Sequence, residues 1–302
     1  MREAPMTMAV VVPILGQYNI AYQCLCNILK TTRPETRVVL VENDPVPGNL
    51  LAALQNREHT CSEHPVADAL SNNRVEIISP GDVVGVFESI SLAAEHCDVD
   101  VLTICHYDVL FWKPAWDKYV IDAFADDEKL GLAGTVGAPG LAADGDRHGT
   151  VSRLLGKVWG GDRTGKVWQV HGGWTPDKGV PAAVLDGLVL FFRRSTISEL
   201  LDASYPGLHH WYDREVSCAW NAAEWRVKVL PIEMDHFSGA SLGSTLYEDA
   251  AVRRMKQLGI TVEAGFNHDL MQYNMNEKHW RERWEKRLPL TVTASYEKRW
   301  DV

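Results

Sequence analysis

A chain of 302 residues, 46% hydrophobic and 23% charged, can bury the core of one large α/β domain or two small ones, and these values exclude long disorder. Its net charge of −10 argues against general nucleic-acid binding, which needs clustered Lys and Arg to displace phosphate counterions. No apolar run reaches the ~20 residues that span a bilayer, and no small-residue cleavage site follows the first apolar run, Met8 to Leu15.

Met8 to Ile14 (MAVVVPI) predicts a buried parallel strand. Tyr22 to Leu29 has apolar residues at helical spacing, and Arg37 to Val41 is a second strand that closes on Glu42, Asn43 and Asp44. A short helix over Leu50 to Gln55, a third strand over Arg74 to Ile78, a helix over Val86 to His96 and a fourth strand over Val99 to Cys105 follow. This alternation implies βαβ units and a parallel sheet with helices on both faces. Gly137 to Gly179 is glycine-rich and aperiodic, but GKVW at 156–159 and again at 165–168 around GGDRT predicts a hairpin. Val184 to Phe192 is a core strand broken by Asp186-Gly187, and Arg214 to Trp225 is a helix. In the next strand, Arg226 to Met234, Pro231 favours an edge or a bulge. After Leu246 the pattern is mostly helical, and the alternating Glu and Arg of Lys278 to Arg287 predict a solvated face.

Six cysteines (Cys24, Cys26, Cys61, Cys97, Cys105 and Cys218) form no C-x-x-C pair and lie mostly in apolar stretches, as reduced structural thiols do. With no leader or membrane-spanning run, the expected location is cytoplasmic. Open parallel sheets bind ligands beyond the carboxyl ends of their strands, where strand order reverses. Four polar clusters fall at such ends: Glu42-Asn43-Asp44, His106-Tyr107-Asp108, Asp186-Gly187 and Asp235-His236. Neither G-x-G-x-x-G nor G-x-x-x-x-G-K-[ST] follows the first strand, so a nucleotide ligand would need a divalent cation on its phosphates.

The order of VVVPILGQYN, VVLVENDP, VLTICHYDVLF, LDGLVLFFRRS and the segment HHWYDREVSCAWNAAEWRVKVLPIEMDHFSGAS, over roughly residues 8 to 243, resembles family 2-like glycosyltransferases of the GT-A fold. The resemblance implies a Rossmann-like, mostly parallel α/β sheet flanked by helices, with a nucleotide-binding half at 1–130, an acceptor and catalytic half at 131–250 and a helical C-terminal extension at 251–302. It implies a hexosyltransferase-type enzyme that moves a sugar from a nucleotide-sugar donor, UDP-linked, to a hydroxyl acceptor with inversion. Pro13, Ile14, Glu42 and Asn43 would meet the nucleoside, with the base contact given to Glu42. Asp186 and Gly187 would meet the donor sugar. Asp108 matches the last acid of the family's D-x-D motif and His236 its metal-closing histidine, so both would hold the metal. His106 replaces the motif's first acid and would face the nucleotide or the metal; an imidazole there shifts the expected ion from Mg²⁺ towards Mn²⁺. Asp213, two residues before Glu215, would be the base that deprotonates the acceptor, and it also stands where a helix cap belongs. Arg193 and Arg194 are candidates for phosphate, and Trp159, Trp168 and Trp174 for sugar stacking.

Two other readings have residues behind them. Loss of the first D-x-D acid fits a non-catalytic nucleotide-sugar-binding protein of the same fold. Gly239 to Gly243 (GASLG) fits the G-x-S-x-G elbow of an α/β-hydrolase with Ser241 as nucleophile, although only 59 residues remain for the acid and histidine of a triad. EHTCSEH (58–64) has metal-ligating residue types at a spacing that matches no zinc template.

Overall fold

The structure, a computed structural model, describes residues 5–58, 65–146, 156–161, 167–172, 178–237, 245–262 and 267–300. The G-x-S-x-G segment, Trp174 and most of EHTCSEH lie outside the described residues, as do the side chains of Trp159 and Trp168.

The first half alternates as its sequence predicts: β1 (Met8–Ile14), α1 (Tyr18–Thr31), β2 (Arg37–Glu42), α2 (Asn49–Glu58), α3 (Pro65–Ser71), β3 (Val75–Ile78), α4 (Val86–His96) and β4 (Val101–Cys105). β5 (Val109–Phe111), α5 (Trp116–Ala125), β6 (Leu130–Gly134), β7 (Gly137–Ala138) and β8 (Gly140–Leu141) follow. Where the GKVW repeat predicts a hairpin, β9 (Lys157–Gly161) and β10 (Val167–Gly172) pair antiparallel; residues 162–166 lie outside the described residues. Next come β11 (Val180–Pro181), β12 (Val184–Leu185), β13 (Val189–Arg193), α6 (Ile197–Leu200), α7 (Tyr212–Ala222), β14 (Arg226–Val229) and β15 (Met234–His236). α8 (Thr245–Gln257), α9 (His268–Trp284), β16 (Leu290–Val292) and β17 (Lys298–Trp300) complete the chain.

The main sheet runs β11-β14-β6-β13-β4-β1-β2-β3. β3, β2, β1 and β4 are parallel, β13 is antiparallel to both neighbours, and β14 is parallel to β6. The chain builds outward from β1 to β3 and returns on the other side of β1 as β4. The strand order therefore reverses between β1 and β4, which opens a crevice at their carboxyl ends. Alternate residues of β1 feed opposite sides: Met8, Val10 and Val12 enter one hydrophobic cluster with α1 and α5, while Ala9 and Val11 enter the other with α4 and α7.

Asp186-Gly187 does break the expected strand, into β12 and β13. The strand expected over Arg226 to Met234 is also two: β14 ends at Val229, and β15 belongs to a second sheet, β10-β9-β15-β5. Pro231, without an N–H, falls in the gap, so the edge or bulge it suggested is a crossing between sheets. β14 itself is paired on both sides.

The C-terminal segment is mostly helical, as expected, and ends in two short strands: β16 pairs with β8 and with β17. Residue 250, where the division of the chain was expected, lies inside α8. Trp280, Trp284 and Leu290 enter the same cluster as α4 and α7. The solvated face expected of Lys278 to Arg287 is therefore half of a helix: Lys278 pairs with Glu282 and Arg281 with Glu277, while the two tryptophans turn inward.

Candidate functional site

β4 runs into the polar triplet His106-Tyr107-Asp108 at the crevice. The backbone of His106 is held on both sides: its N–H donates to Leu188 O (3.0 Å), and its carbonyl accepts the thiols of Cys105 (3.2 Å) and Cys24 (3.6 Å). β15 then pairs antiparallel with β5, His236 opposite Val109, and the ladder continues as Phe237 N–H donates to Asp108 O (2.9 Å). That register carries a histidine from 128 residues downstream to the side of Asp108.

The Asp108 carboxylate is 6% exposed, and its Oδ1 has no hydrogen-bond partner among the described residues. His236 Nε2 lies 3.5 Å from that oxygen and His106 Nδ1 3.9 Å from it. One ligand atom from each of the three lies within 4.8 Å of the others. Burial works to raise the Asp108 pKa, but His236 and then His106 outweigh it and hold the carboxyl below its ordinary value. Burial lowers the pKa of His106 against the pull of Asp108, which favours its neutral form.

Tyr212, the first residue of α7, fixes the His106 tautomer. Its hydroxyl donates to Gly187 O (2.5 Å) and lies 2.9 Å from His106 Nε2. With its only proton spent on Gly187, the tyrosine oxygen accepts from Nε2–H, and the Nδ1 lone pair of His106 is left facing Asp108. Such an outer hydrogen bond is how metal-ligating histidines are oriented. A buried carboxylate oxygen with no hydrogen bond of good geometry among the described residues, and with two imidazoles facing it at 3.5 and 3.9 Å, fits a divalent cation, and mixed N and O donors suit Mn²⁺ better than Mg²⁺.

Asp186 and Asp213 are close enough to act on the charge of both His106 and Tyr212. Asp186 Oδ1 accepts Leu188 N–H (3.2 Å), and an added Cβ at Gly187 would run into the Tyr212 hydroxyl. Asp213 Oδ1 accepts the N–H of Arg214 (2.8 Å). Trp211 precedes them at φ 66°, a left-handed backbone that costs roughly 1–2 kcal/mol in a non-glycine residue. Its ring is held against Trp280 at 5.0 Å and Arg214 at 4.4 Å.

Other expected residues separate. Pro13 and Asn43 line a cleft that reaches Asp108, together with Leu15, Val83 and Val84. Ile14 is buried and contributes its carbonyl, which accepts Asn43 N–H (2.9 Å). Glu42 is 1% exposed, and its oxygens accept Leu50 N–H (2.6 Å), Gly48 N–H (3.0 Å) and the Ser79 hydroxyl. It anchors the start of α2, and Asn43 takes the wall position beside it. Glu215 binds Trp284 Nε1 (2.8 Å) and Arg283 on α9. Arg193 and Arg194 lie at the opposite end of the sheet, donating to backbone carbonyls of Leu130 and Ala94.

The sequence reading passed over Tyr212, His209 and Tyr247. The first two stand in the HHWYD run quoted for Asp213; Tyr247 comes from α8 and carries no local signal. His209, Tyr247 and Leu208 line the same cleft as Pro13 and Asn43. A second group, His209, His210 and Asp269, also brings ligand-type atoms within 4.8 Å.

No family model matches the sequence, and no curated protein does. Solved structures do match. The mannosyltransferase PcManGT from Pyrobaculum calidifontis, in complex with GDP-Man and Mn²⁺, is 13% identical with a TM-score of 0.50, over 94% of this chain and 72% of that one. GalNAc-T7, with UDP, GalNAc and Mn²⁺, is 13% identical with a TM-score of 0.54, over 94% of this chain but only 57% of that one. Both are GT-A glycosyltransferases. The reversal of strand order at β1, the mostly parallel sheet and these two likenesses together establish that the chain has a GT-A-type fold.

Proposed function

We propose that this protein is a metal-dependent glycosyltransferase that moves a sugar from a nucleotide-sugar donor, a UDP-sugar, to a hydroxyl acceptor with inversion. The observation that carries the reading is the buried Asp108 oxygen, without a hydrogen-bond partner among the described residues and faced by His236 and His106, at one end of a cleft at the switch point. The two solved neighbours hold nucleotide or nucleotide-sugar with Mn²⁺, which supports the same class of ligand.

Asp108, His236 and His106 would hold Mn²⁺ or Mg²⁺, which when bound neutralises the departing diphosphate. Pro13 and Asn43 wall the nucleoside. Asp186 binds donor-sugar hydroxyls, and Gly187 lets its backbone come close. The Asp213 carboxylate takes the proton of the acceptor hydroxyl as that oxygen attacks the anomeric carbon. The nucleoside diphosphate leaves from the opposite face, so the product has inverted configuration. Location in the cytoplasm accords with the buried thiols of Cys24, Cys97, Cys105 and Cys218; no helix among the described residues is long and apolar enough to cross a membrane.

The test is a thermal-shift panel of nucleotide sugars with and without Mn²⁺, followed by assay of free nucleotide release. A shift that needs both nucleotide and metal, with slow release in the absence of acceptor, is the expected result. Binding without any release would instead favour a non-catalytic nucleotide-sugar-binding protein, the reading to which His106 in place of an acid lends weight. No Mn²⁺-dependent shift with any nucleotide would end both.

A further inference from the structure

The cleft that Asn43 lines is also lined by members of a network that the proposed reaction does not use. The Tyr247 hydroxyl lies 2.9 Å from Asp269 Oδ1 and 3.2 Å from His209 Nδ1, and His210 Nε2 lies 2.7 Å from the same Asp269 oxygen. These contacts satisfy one another, so the group reads as a hydrogen-bonded relay. An ionised carboxylate only accepts, so the single proton of Tyr247 goes to Asp269. The tyrosine oxygen is then an acceptor, and His209 must bring its proton to Nδ1. The ring nitrogen left with a lone pair is Nε2, on a side chain that borders the cleft.

Neutrality of this ring is built in. Burial, with His210 beside it, pulls the His209 pKa down to about 3 against the opposing pull of Asp269. His209 therefore presents an acceptor at neutral pH. The lining beside it is apolar, with Leu15 and Val83 packed in one cluster with Leu208 and Tyr247 and with Val84 also in the lining, so a hydrogen bond from the ligand to His209 would form away from bulk water.

We infer that His209 Nε2 is the acceptor with which this cleft reads its nucleoside, taking a hydrogen bond from a base N–H or a ribose O–H, and that Tyr247 and Asp269 are positioning residues that fix its tautomer. The inference rests on the glycosyltransferase reading for the presence of a nucleotide. Base imide and ribose hydroxyl present the same chemistry to a lone pair, and the experiment separates them.

Wild type is titrated with UDP and with GDP in the presence of Mn²⁺, and the tighter nucleotide is carried forward. His209→Leu should weaken it about tenfold or more, the effect of losing one buried hydrogen bond, while Mn²⁺ alone binds as before. His209→Gln, which retains an acceptor, should recover most of the loss. Tyr247→Phe should weaken the nucleotide and leave Mn²⁺ binding in place. The difference between wild type and His209→Leu should vanish with a base-N-methylated analogue if the base is the donor, or with a 2′,3′-dideoxyribose analogue if the sugar is. Equal nucleotide affinity in wild type and His209→Leu overturns the inference, and so does a difference that survives in both analogues. Failure of wild type to bind any nucleotide with Mn²⁺ removes the glycosyltransferase reading itself.

Discussion

Asp108 carries more of the proposed chemistry than any other side chain, because its buried oxygen faces two imidazoles and finds no hydrogen bond among the described residues. Asp108→Asn keeps the shape and removes the charge. It should lower Mn²⁺ affinity and transfer by roughly 100-fold or more, since even an outer partner of a metal ligand is worth 10–100-fold, and Mn²⁺ titration with a transfer assay reads both. Asp213→Asn should keep nucleotide affinity and abolish transfer; loss of both, or of neither, would return Asp213 to a structural role at the start of α7. Acid should act through His209. Its pKa is pulled from 6.5 to about 3, so between those values the unfolded chain binds a proton that the folded chain refuses. Stability is fully present above pH 6.5 and falls as the pH falls toward about 3. The melting midpoint of wild type should drop more between pH 7 and pH 5 than that of His209→Gln.

At the scale of elements, Glu42 separates the two jobs a strand-end acid can have. Two backbone N–H groups and one hydroxyl converge on it, so it anchors α2 and does not line the cleft. Glu42→Ala should cost about 2–3 kcal/mol in urea unfolding, by loss of charged hydrogen bonds in a buried place. The nucleotide affinity of the folded fraction should change far less. The resemblance named Glu42 for the base, and the structure shows its carboxylate engaged by Gly48, Leu50 and Ser79 while Asn43 lines the cleft; which of three adjacent polar side chains turns toward a neighbouring helix depends on where that helix starts, and that start is not written in the strand. Local pattern made β1 through β4 and the hairpin at β9 and β10 legible: their apolar runs and their repeat are short-range. α5 and β6 went unread although their signals are local: Trp116, Val120, Ile121 and Phe124 recur at helical spacing, and Leu130 to Gly134 is a short buried run. The His236–Asp108 meeting depended on a strand changing sheets at Pro231, and the Tyr212–Gly187–His106 contact on two loops and the start of α7; neither leaves a spacing in the sequence.

For the molecule as a whole, the C-terminal segment closes the second core. Trp280 is fully buried beside Trp211, whose strained backbone sits one residue before Tyr212. Trp280→Ala should cost about 3–5 kcal/mol. Unfolding followed by tryptophan fluorescence and by far-UV circular dichroism should still show one coincident transition, because α9 and α7 share that core. An early separate transition for the C-terminal helices would contradict this. The Tyr212 hydroxyl has a wider consequence. One oxygen joins the loop after β4, the loop after β12 and the start of α7, so the groups proposed for metal, sugar and base share a single joint. Such a joint makes the three segments inseparable under mutation: Tyr212→Phe and Gly187→Ala should each unseat His106, and their effects on Mn²⁺ affinity should fall well short of additive when combined. Diversification of this protein, natural or designed, would then proceed by exchanging the three segments together, with specificity altered at the walls of the cleft where His209 and Asn43 stand.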